Sequence, residues 1–114
     1  MKLWIDDVRP APEGYVWCKS VNEVISVIET LEYRYAHAWS RNTPEEYKVK
    51  DMVELIDLDH DAGDYVSDGG DYIKLLDWLE ETGRNYPIRI HSMNPVGVAN
   101  MRAIIERNGW KEIR

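Results

Sequence analysis

Acidic and imidazole side chains stand directly after three short apolar runs of the chain. They are Asp6 and Asp7 after the first run, Asp59, His60 and Asp61 after a later one, and His91 and Ser92 after another. Clustered carboxylates repel one another, so a proton or a cation has to bind among them. We therefore expect the four aspartates Asp6, Asp7, Asp59 and Asp61 to hold a divalent metal. Oxygen ligands favour Mg²⁺ or Ca²⁺ and a histidine ligand favours Mn²⁺, Fe²⁺ or Zn²⁺, so Mg²⁺ and Mn²⁺ are the expected ions.

Three further residues are suited to binding a phosphate beside such a metal. A metal that joins carboxylates to a phosphoryl oxygen neutralises the charge that builds up in a transition state. Arg9 carries a planar guanidinium group that pairs with the same phosphate. Ser92 and the backbone N–H groups of a helix beginning after Asn94 offer hydrogen-bond donors. The sequence therefore predicts phosphate binding by Arg9, Ser92 and Asn94.

Structural roles explain the same residue types and stay open beside the chemical ones. The pair Asp6 and Asp7 is also suited to capping a turn, and Arg9 to forming a salt bridge with the acidic residues. Ser92 suits the entry of a helix. Asn94 suits its N-cap, because the proline that follows is favoured at the first helical position.

Composition excludes several classes of protein. The chain has 114 residues and a net charge of −7, with a pI of about 4.9. Broad binding to nucleic-acid backbones needs a basic surface, so it is not expected. The single cysteine, Cys18, excludes an intramolecular disulfide framework, and no apolar run approaches the length of a membrane span. We expect a cytoplasmic protein with no membrane segment.

The hydrophobic pattern predicts strands that alternate with helices. Strands are expected over residues 3–5, 15–18, 52–59, 87–92 and 110–113. Helices are expected from the capping box Ser20–Glu23 to Leu31, over residues 72–82, and from Asn94 to Asn108. Prolines and a glycine make residues 8–14 a loop. Residues 33–51 are treated as an insertion, in which the helix either continues or gives way to a short turn at Thr43–Pro44.

This order of elements predicts one α/β domain over residues 1–114. Strands alternating with amphipathic helices imply a parallel sheet covered on both faces, with right-handed crossovers. In such sheets ligands bind at the carboxyl ends of the strands. The acids and imidazoles described above follow those ends, so we expect them to share one pocket.

The placement of these residues resembles the receiver domain of response regulators. The resemblance implies a three-layer, flavodoxin-like fold with a parallel five-stranded sheet of order 2-1-3-4-5. It also implies metal binding by the acidic cluster and phosphorylation of Asp59. We expect the first helix to be reduced to a loop and the last helix to be absent. The lysine expected at the end of the fifth strand has no counterpart, because Lys111 lies inside that strand.

Three ordered motifs resemble the cyclic-phosphate processing receiver domains more closely. The motifs are Asp-Asp-x-Arg-x-x-Pro at residues 6–12, Leu-Asp-His-Asp-x-Gly at residues 58–63, and His-Ser-x-Asn-Pro-x-Gly at residues 91–97, followed by Met101. This resemblance implies metal-dependent processing of cyclic phosphate ends of RNA or nucleotides. Opening such a phosphate needs an acid and a base, for which His60 and His91 are the available imidazoles. The alternatives are that His60 orients a carboxylate and that His91 is a buried, hydrogen-bonded core residue.

Two other functions remain open from the sequence. The chain is suited to be a receiver that is phosphorylated on Asp59 and signals through its surface. It is equally suited to be a protein-interaction module without catalysis. The expected partner of an enzyme is a phosphorylated small molecule or an RNA end. The expected partner of a signalling receiver or an interaction module is another protein.

Overall fold

The computed structural model describes residues 1–40 and 52–114 and contains a parallel four-stranded sheet. The strands are β1 (Lys2–Ile5), β2 (Tyr15–Cys18), β3 (Leu55–Leu58) and β4 (Ile88–Ile90). Their order across the sheet is β2-β1-β3-β4, and every neighbouring pair is parallel. The predicted α/β class and the order 2-1-3-4 are therefore confirmed.

The predicted fifth strand is present only as a single bridge beside β4. Ile88 bridges Glu112 in the parallel sense, with a 3.0 Å bond from Ile88 N–H to the Lys111 carbonyl and a 2.7 Å bond from Ile113 N–H to the Ile88 carbonyl. The Glu112 carboxylate accepts from Arg102 Nε at 2.9 Å. The segment therefore lies where a fifth strand belongs, but no second residue of the described chain extends the pairing.

Three helices connect and follow the strands. They are α1 (Val21–Ser40), α2 (Ile73–Thr82) and α3 (Pro95–Asn108), and a 3₁₀ turn covers Gly63–Tyr65. Ser20 Oγ accepts from Glu23 N–H at 3.1 Å, so the predicted cap of α1 forms. Residues 33–40 of the predicted insertion continue this helix. The turn expected at Thr43–Pro44 lies outside the described residues.

The helices form one layer, so the expectation of a sheet covered on both faces is wrong for the described chain. Helix α1 contacts α2, and α2 contacts α3. The crossovers β2–α1–β3 and β3–α2–β4 run in the same direction across the sheet, and right-handed crossovers in one direction place their helices on one face. Only the connection from β1 to β2 runs the other way, and it is a loop without a helix.

Burial alternates along the strands accordingly. Most strand residues on the helix side are buried in the core, whereas Val16 on the edge strand β2 is 37% exposed. The buried ones are Leu3, Ile5, Cys18, Ile56, Leu58 and Ile88. The opposite side, which we call the open face, presents Lys2, Trp4, Tyr15, Trp17, Leu55, Asp57 and Arg89. In register across it lie Trp17, Trp4, Asp57 and Arg89. Among the described helices, none has the length and apolar character needed to cross a membrane.

Candidate metal and phosphate site

Three of the predicted metal ligands meet at the carboxyl edge of the sheet. Ile5 and Leu58 are paired in register on β1 and β3, and Asp59 N–H donates to the Ile5 carbonyl at 2.9 Å. The residues that follow these strands are therefore neighbours. Carboxylate oxygens of Asp6, Asp7 and Asp59 all lie within 4.8 Å of one another.

Asp6 is fully buried and tightly held. Its Oδ1 accepts from the backbone N–H groups of Val8 at 3.0 Å and Arg9 at 2.9 Å, and its Oδ2 lies 2.9 Å from Nε2 of His91. Burial raises the pKa of Asp6, but the two backbone bonds and the His91 ring outweigh it, so the pKa is lowered. Asp6 therefore remains an anion inside the fold.

The pKa of Asp7 is shifted in the opposite direction to that of Asp6. Burial, together with the negative charges of Asp6 and Asp59, raises the pKa of Asp7 above its usual value. The carboxylate is pressed against Gly63, where an added Cβ would collide with Asp7 Oδ2, and Gly63 has a φ of +55° that disfavours other residues. This packing holds Asp7 beside two like charges, which is the arrangement that a cation stabilises.

His91 joins the acidic cluster to a second buried carboxylate. Its Nδ1 lies 2.7 Å from Oδ1 of Asp57, and its ring stacks on Trp4 with 3.8 Å between the ring centroids and 5° between the planes. Only 8% of the His91 side chain is exposed. Both ring nitrogens of His91 therefore face carboxylates, which accept hydrogen bonds when ionised.

Asp57 is the residue of this arrangement that the sequence analysis missed. It is fully buried within β3, and its second oxygen accepts from Nη1 of Arg89 at 3.2 Å. An acidic residue inside an otherwise apolar strand was the available signal, because a buried carboxylate needs charged or hydrogen-bonding partners. The alternation along β1 and β3 places it beside Trp4 on the open face.

His60 lies on the helix side of the edge with one ring nitrogen engaged. Its Nδ1 lies 2.8 Å from Oδ1 of Asp61, and the ring packs against Gly97, where a Cβ would collide with ring carbons. Nε2 makes no hydrogen bond with the described residues. Asp61 is 65% exposed and orients the imidazole instead of joining the group of three aspartates.

The residues predicted to bind phosphate shape the beginning of α3. Asn94 Oδ1 accepts from Gly97 N–H at 3.0 Å and caps the helix, and Ser92 Oγ accepts from Asn94 N–H at 3.1 Å. Both residues thus adopt the structural roles left open above, while the Ser92 hydroxyl keeps its own proton to donate. Whether they also bind phosphate stays a prediction.

Arg9 is fixed by its backbone and exposed through its side chain. Its N–H donates to Asp6, and its carbonyl accepts from Trp4 Nε1 at 2.9 Å. No described residue forms an ion pair with its guanidinium group, so the salt bridge left open above is not formed with that part of the chain. The loop thus carries an exposed cationic side chain, and its backbone contacts the acidic cluster.

Comparisons with known proteins identify a family. Neither the curated proteins nor the solved structures contain a significant match to the chain. A family model described as "Cyclic-phosphate processing Receiver domain" matches residues 1–107. That range contains the three motifs and every side chain of the site described above. The chain therefore belongs to the cyclic-phosphate processing receiver domain family.

Proposed function

We propose that this protein is a metal-dependent enzyme that opens or otherwise processes cyclic phosphate ends of RNA or nucleotides. The observation that carries the proposal is the group formed by Asp6, Asp7 and Asp59, whose oxygens lie within 4.8 Å of one another. Within the described part of the chain, His60 has one ring nitrogen without a hydrogen bond and Arg9 has a guanidinium group without an ion pair. The family description supports a cyclic phosphate as the substrate.

Asp6, Asp7 and Asp59 are the residues that would hold the metal. The raised pKa of Asp7 reflects burial and like-charge repulsion that a cation relieves. An all-oxygen donor set suits Mg²⁺ or Mn²⁺. When bound, the metal supplies charge neutralisation to the phosphoryl oxygens.

His60 is the residue that we assign to proton transfer. Asp61 fixes its Nδ1–H, which leaves Nε2 as the basic nitrogen. Nε2 takes a proton from the attacking water as the new P–O bond forms. The P–O bond to one ribose oxygen then breaks, and that oxygen takes a proton from solvent water. The hydroxide left behind accepts the proton held by His60, and a phosphate monoester remains.

His91 has a different environment from His60. Since both of its ring nitrogens face buried carboxylates, we assign it to positioning Asp6. Its predicted role as the second proton-transfer group stays a prediction that requires one of these contacts to open. The Asp57–Arg89 pair holds the far side of the same ring.

Phosphate binding is assigned to Arg9 and the start of α3. The backbone of Arg9 is anchored to Asp6 and its side chain is exposed, so the guanidinium group can pair with a phosphate without leaving an ion pair to a described residue. The Ser92 hydroxyl adds a neutral donor near the positive N-terminal end of α3.

The test is turnover of 2′,3′-cyclic nucleotides and of RNA ends bearing cyclic phosphates, with Mg²⁺ or Mn²⁺. His60→Gln is expected to lower turnover about 100-fold or more, because one proton-transfer group is removed. His37→Gln, which changes a histidine on α1, serves as the matched control. Absence of turnover with either metal, or equal turnover by His60→Gln and the wild type, contradicts the proposal.

A signalling receiver is the second candidate, because Asp59 lies in the same acidic group that receivers use. Against it, Lys111 lies at the level of Ile88, where β4 begins, and not at the carboxyl edge. Incubation with Mg²⁺ and acetyl phosphate separates the two functions. Phosphorylation of Asp59, detected by intact mass and absent in Asp59→Asn, would favour the signalling function.

A further inference from the structure

The open face carries an aromatic surface on β1 and β2. Trp4, Tyr15 and Trp17 are all only partly buried there. Trp4 and Tyr15 meet edge to face with centroids 6.0 Å apart. Among residues 1–40 and 52–114 no helix covers these rings, because the crossovers place all three helices on the other side. The β1–β2 loop reaches this face, where the Arg9 carbonyl accepts from Trp4 Nε1, and the partly exposed rings beside it are a surface on which planar groups stack.

Two lysines lie near the Tyr15 and Trp17 rings, although the whole chain is acidic. Lys2 Nζ lies 5.6 Å from the centroid of the Tyr15 ring, and Lys19 Nζ lies 4.5 Å from that of Trp17. Arg89 is exposed at the other end of the row. The acid inside the open face, Asp57, is fully buried and already bonded to His91 and Arg89. The surface therefore matches an anion that also carries flat rings.

The aromatic surface is continuous with the candidate site. Trp17 Nε1 donates to the Asp6 carbonyl at 2.8 Å, and Trp4 stacks on His91, which contacts the Asp6 carboxylate. A chain whose terminal phosphate lies at the acidic cluster therefore meets these rings next. Four-stranded sheets with exposed aromatics accommodate about two or three bases in other RNA-binding folds.

We propose that the open face binds the single-stranded RNA segment that precedes the terminal phosphate. Its bases stack on the surface formed by Trp4, Tyr15 and Trp17, and Lys2 and Lys19 contact its backbone. This inference rests on the proposed function and narrows the substrate from cyclic nucleotides to RNA ends. It agrees with the net charge of −7, because two or three cations serve a short segment and not an extended backbone.

The experiment compares binding of a labelled five-nucleotide RNA ending in a 3′-phosphate with binding of a nucleoside 3′-monophosphate. Neither probe carries a cyclic phosphate, so binding is measured without turnover, by anisotropy for the RNA and by calorimetry for the monophosphate. The wild type is expected to bind the RNA at least tenfold more tightly. The charge-reversal pair Lys2→Glu and Lys19→Glu is expected to remove that preference. Lys74→Glu, at an exposed position of α2, is the control and is expected to keep the preference for RNA.

A second variant tests stacking without a change of charge. Tyr15→Leu keeps an apolar side chain on β2 but removes the ring, so RNA binding is expected to weaken several-fold. Circular dichroism melting checks that each variant remains folded. Equal binding of RNA by the wild type and by both open-face variants overturns the inference. Dimerisation or capture of a protein through this face, without RNA binding, overturns it as well.

Turnover separates this inference from the proposed function. The Lys2→Glu and Lys19→Glu variant is expected to hydrolyse a 2′,3′-cyclic mononucleotide at the wild-type rate while losing its preference for RNA ends. Equal loss of both activities contradicts the inference, because the open face then has no separate role. RNA binding that depends on Lys2 and Lys19 in a protein without turnover refutes the proposed function and keeps the RNA surface.

Discussion

Substitution of Gly97 tests how the first turn of α3 positions the candidate proton-transfer group. Gly97 is buried and lies against the His60 ring, where an alanine Cβ would collide with two ring carbons. Its backbone is helical, so alanine itself favours the helix by about 1 kcal/mol. Overpacking of a buried contact costs about 1–3 kcal/mol. Gly97→Ala is therefore expected to lower the free energy of unfolding by about 0–2 kcal/mol.

The sign of this effect is expected to reverse when the ring is absent. In a His60→Ala background nothing opposes the new methyl group, and Gly97→Ala is expected to stabilise the protein by about 1 kcal/mol. The coupling between the two positions then amounts to about 1–3 kcal/mol. Urea unfolding of the four proteins measures it, and each kcal/mol shifts the Tm of a domain of this size by about 4 °C.

Turnover provides the second readout of the same variants. The displaced ring no longer presents Nε2 in its original direction, so Gly97→Ala is expected to lose turnover far beyond what its small loss of stability explains. Additive effects of the two substitutions on unfolding would refute the packing argument. Full turnover in Gly97→Ala would refute the assignment of His60.

Three further predictions concern the metal, the pH dependence and the cap of α1. Mn²⁺ or Mg²⁺ at a hundred times its Kd is expected to stabilise the protein by about 2.7 kcal/mol. Asp7→Asn is expected to raise the stability of the metal-free protein and to abolish this response, whereas the control Asp77→Asn on α2 is expected to change neither. A full metal response in Asp7→Asn would place the metal elsewhere. The fold lowers the pKa of Asp6 below its usual value of 3.8, so the Asp6 carboxylate contributes fully to stability above pH 3.8. This contribution is lost as the pH falls through the lowered pKa. Acid unfolding curves of the wild type and of Asp6→Asn that coincide in shape would contradict this. Ser20→Ala removes the hydroxyl that accepts from Glu23 N–H and is expected to cost about 1 kcal/mol in urea unfolding, whereas an unchanged midpoint would show that the cap contributes nothing.

The sequence predicts the four strands of the sheet and the start of each helix because these follow local patterns, whereas the predicted fifth strand forms only a single bridge. The apolar run Leu3–Ile5 before Asp6 forms β1, and Ser20 with Glu23 marks the beginning of α1. The expectation that Asp6, Asp7 and Asp59 share one edge follows from parallel strands alone, and the structure brings these three together. Sequence reasoning is sufficient where a rule depends on neighbours in the chain.

The remaining features depend on contacts between distant segments. A sheet covered on both faces was expected because strands and helices alternate, but the direction of each crossover, not the alternation, decides the face. Asp57 was missed because its partner His91 lies 34 residues further along the chain. Asp61 was expected beside Asp59, but it turns to the His60 ring. Local spacing does not distinguish these outcomes.

The stack of Trp4 on His91 connects tryptophan fluorescence to the candidate site. The fluorescence of an indole depends on the groups in contact with its ring, and the His91 ring lies 3.8 Å from that of Trp4. Any ligand that draws the Asp6 carboxylate away from His91 alters that separation. A change in Trp4 fluorescence is therefore expected when a ligand binds at Asp6, which is in contact with His91.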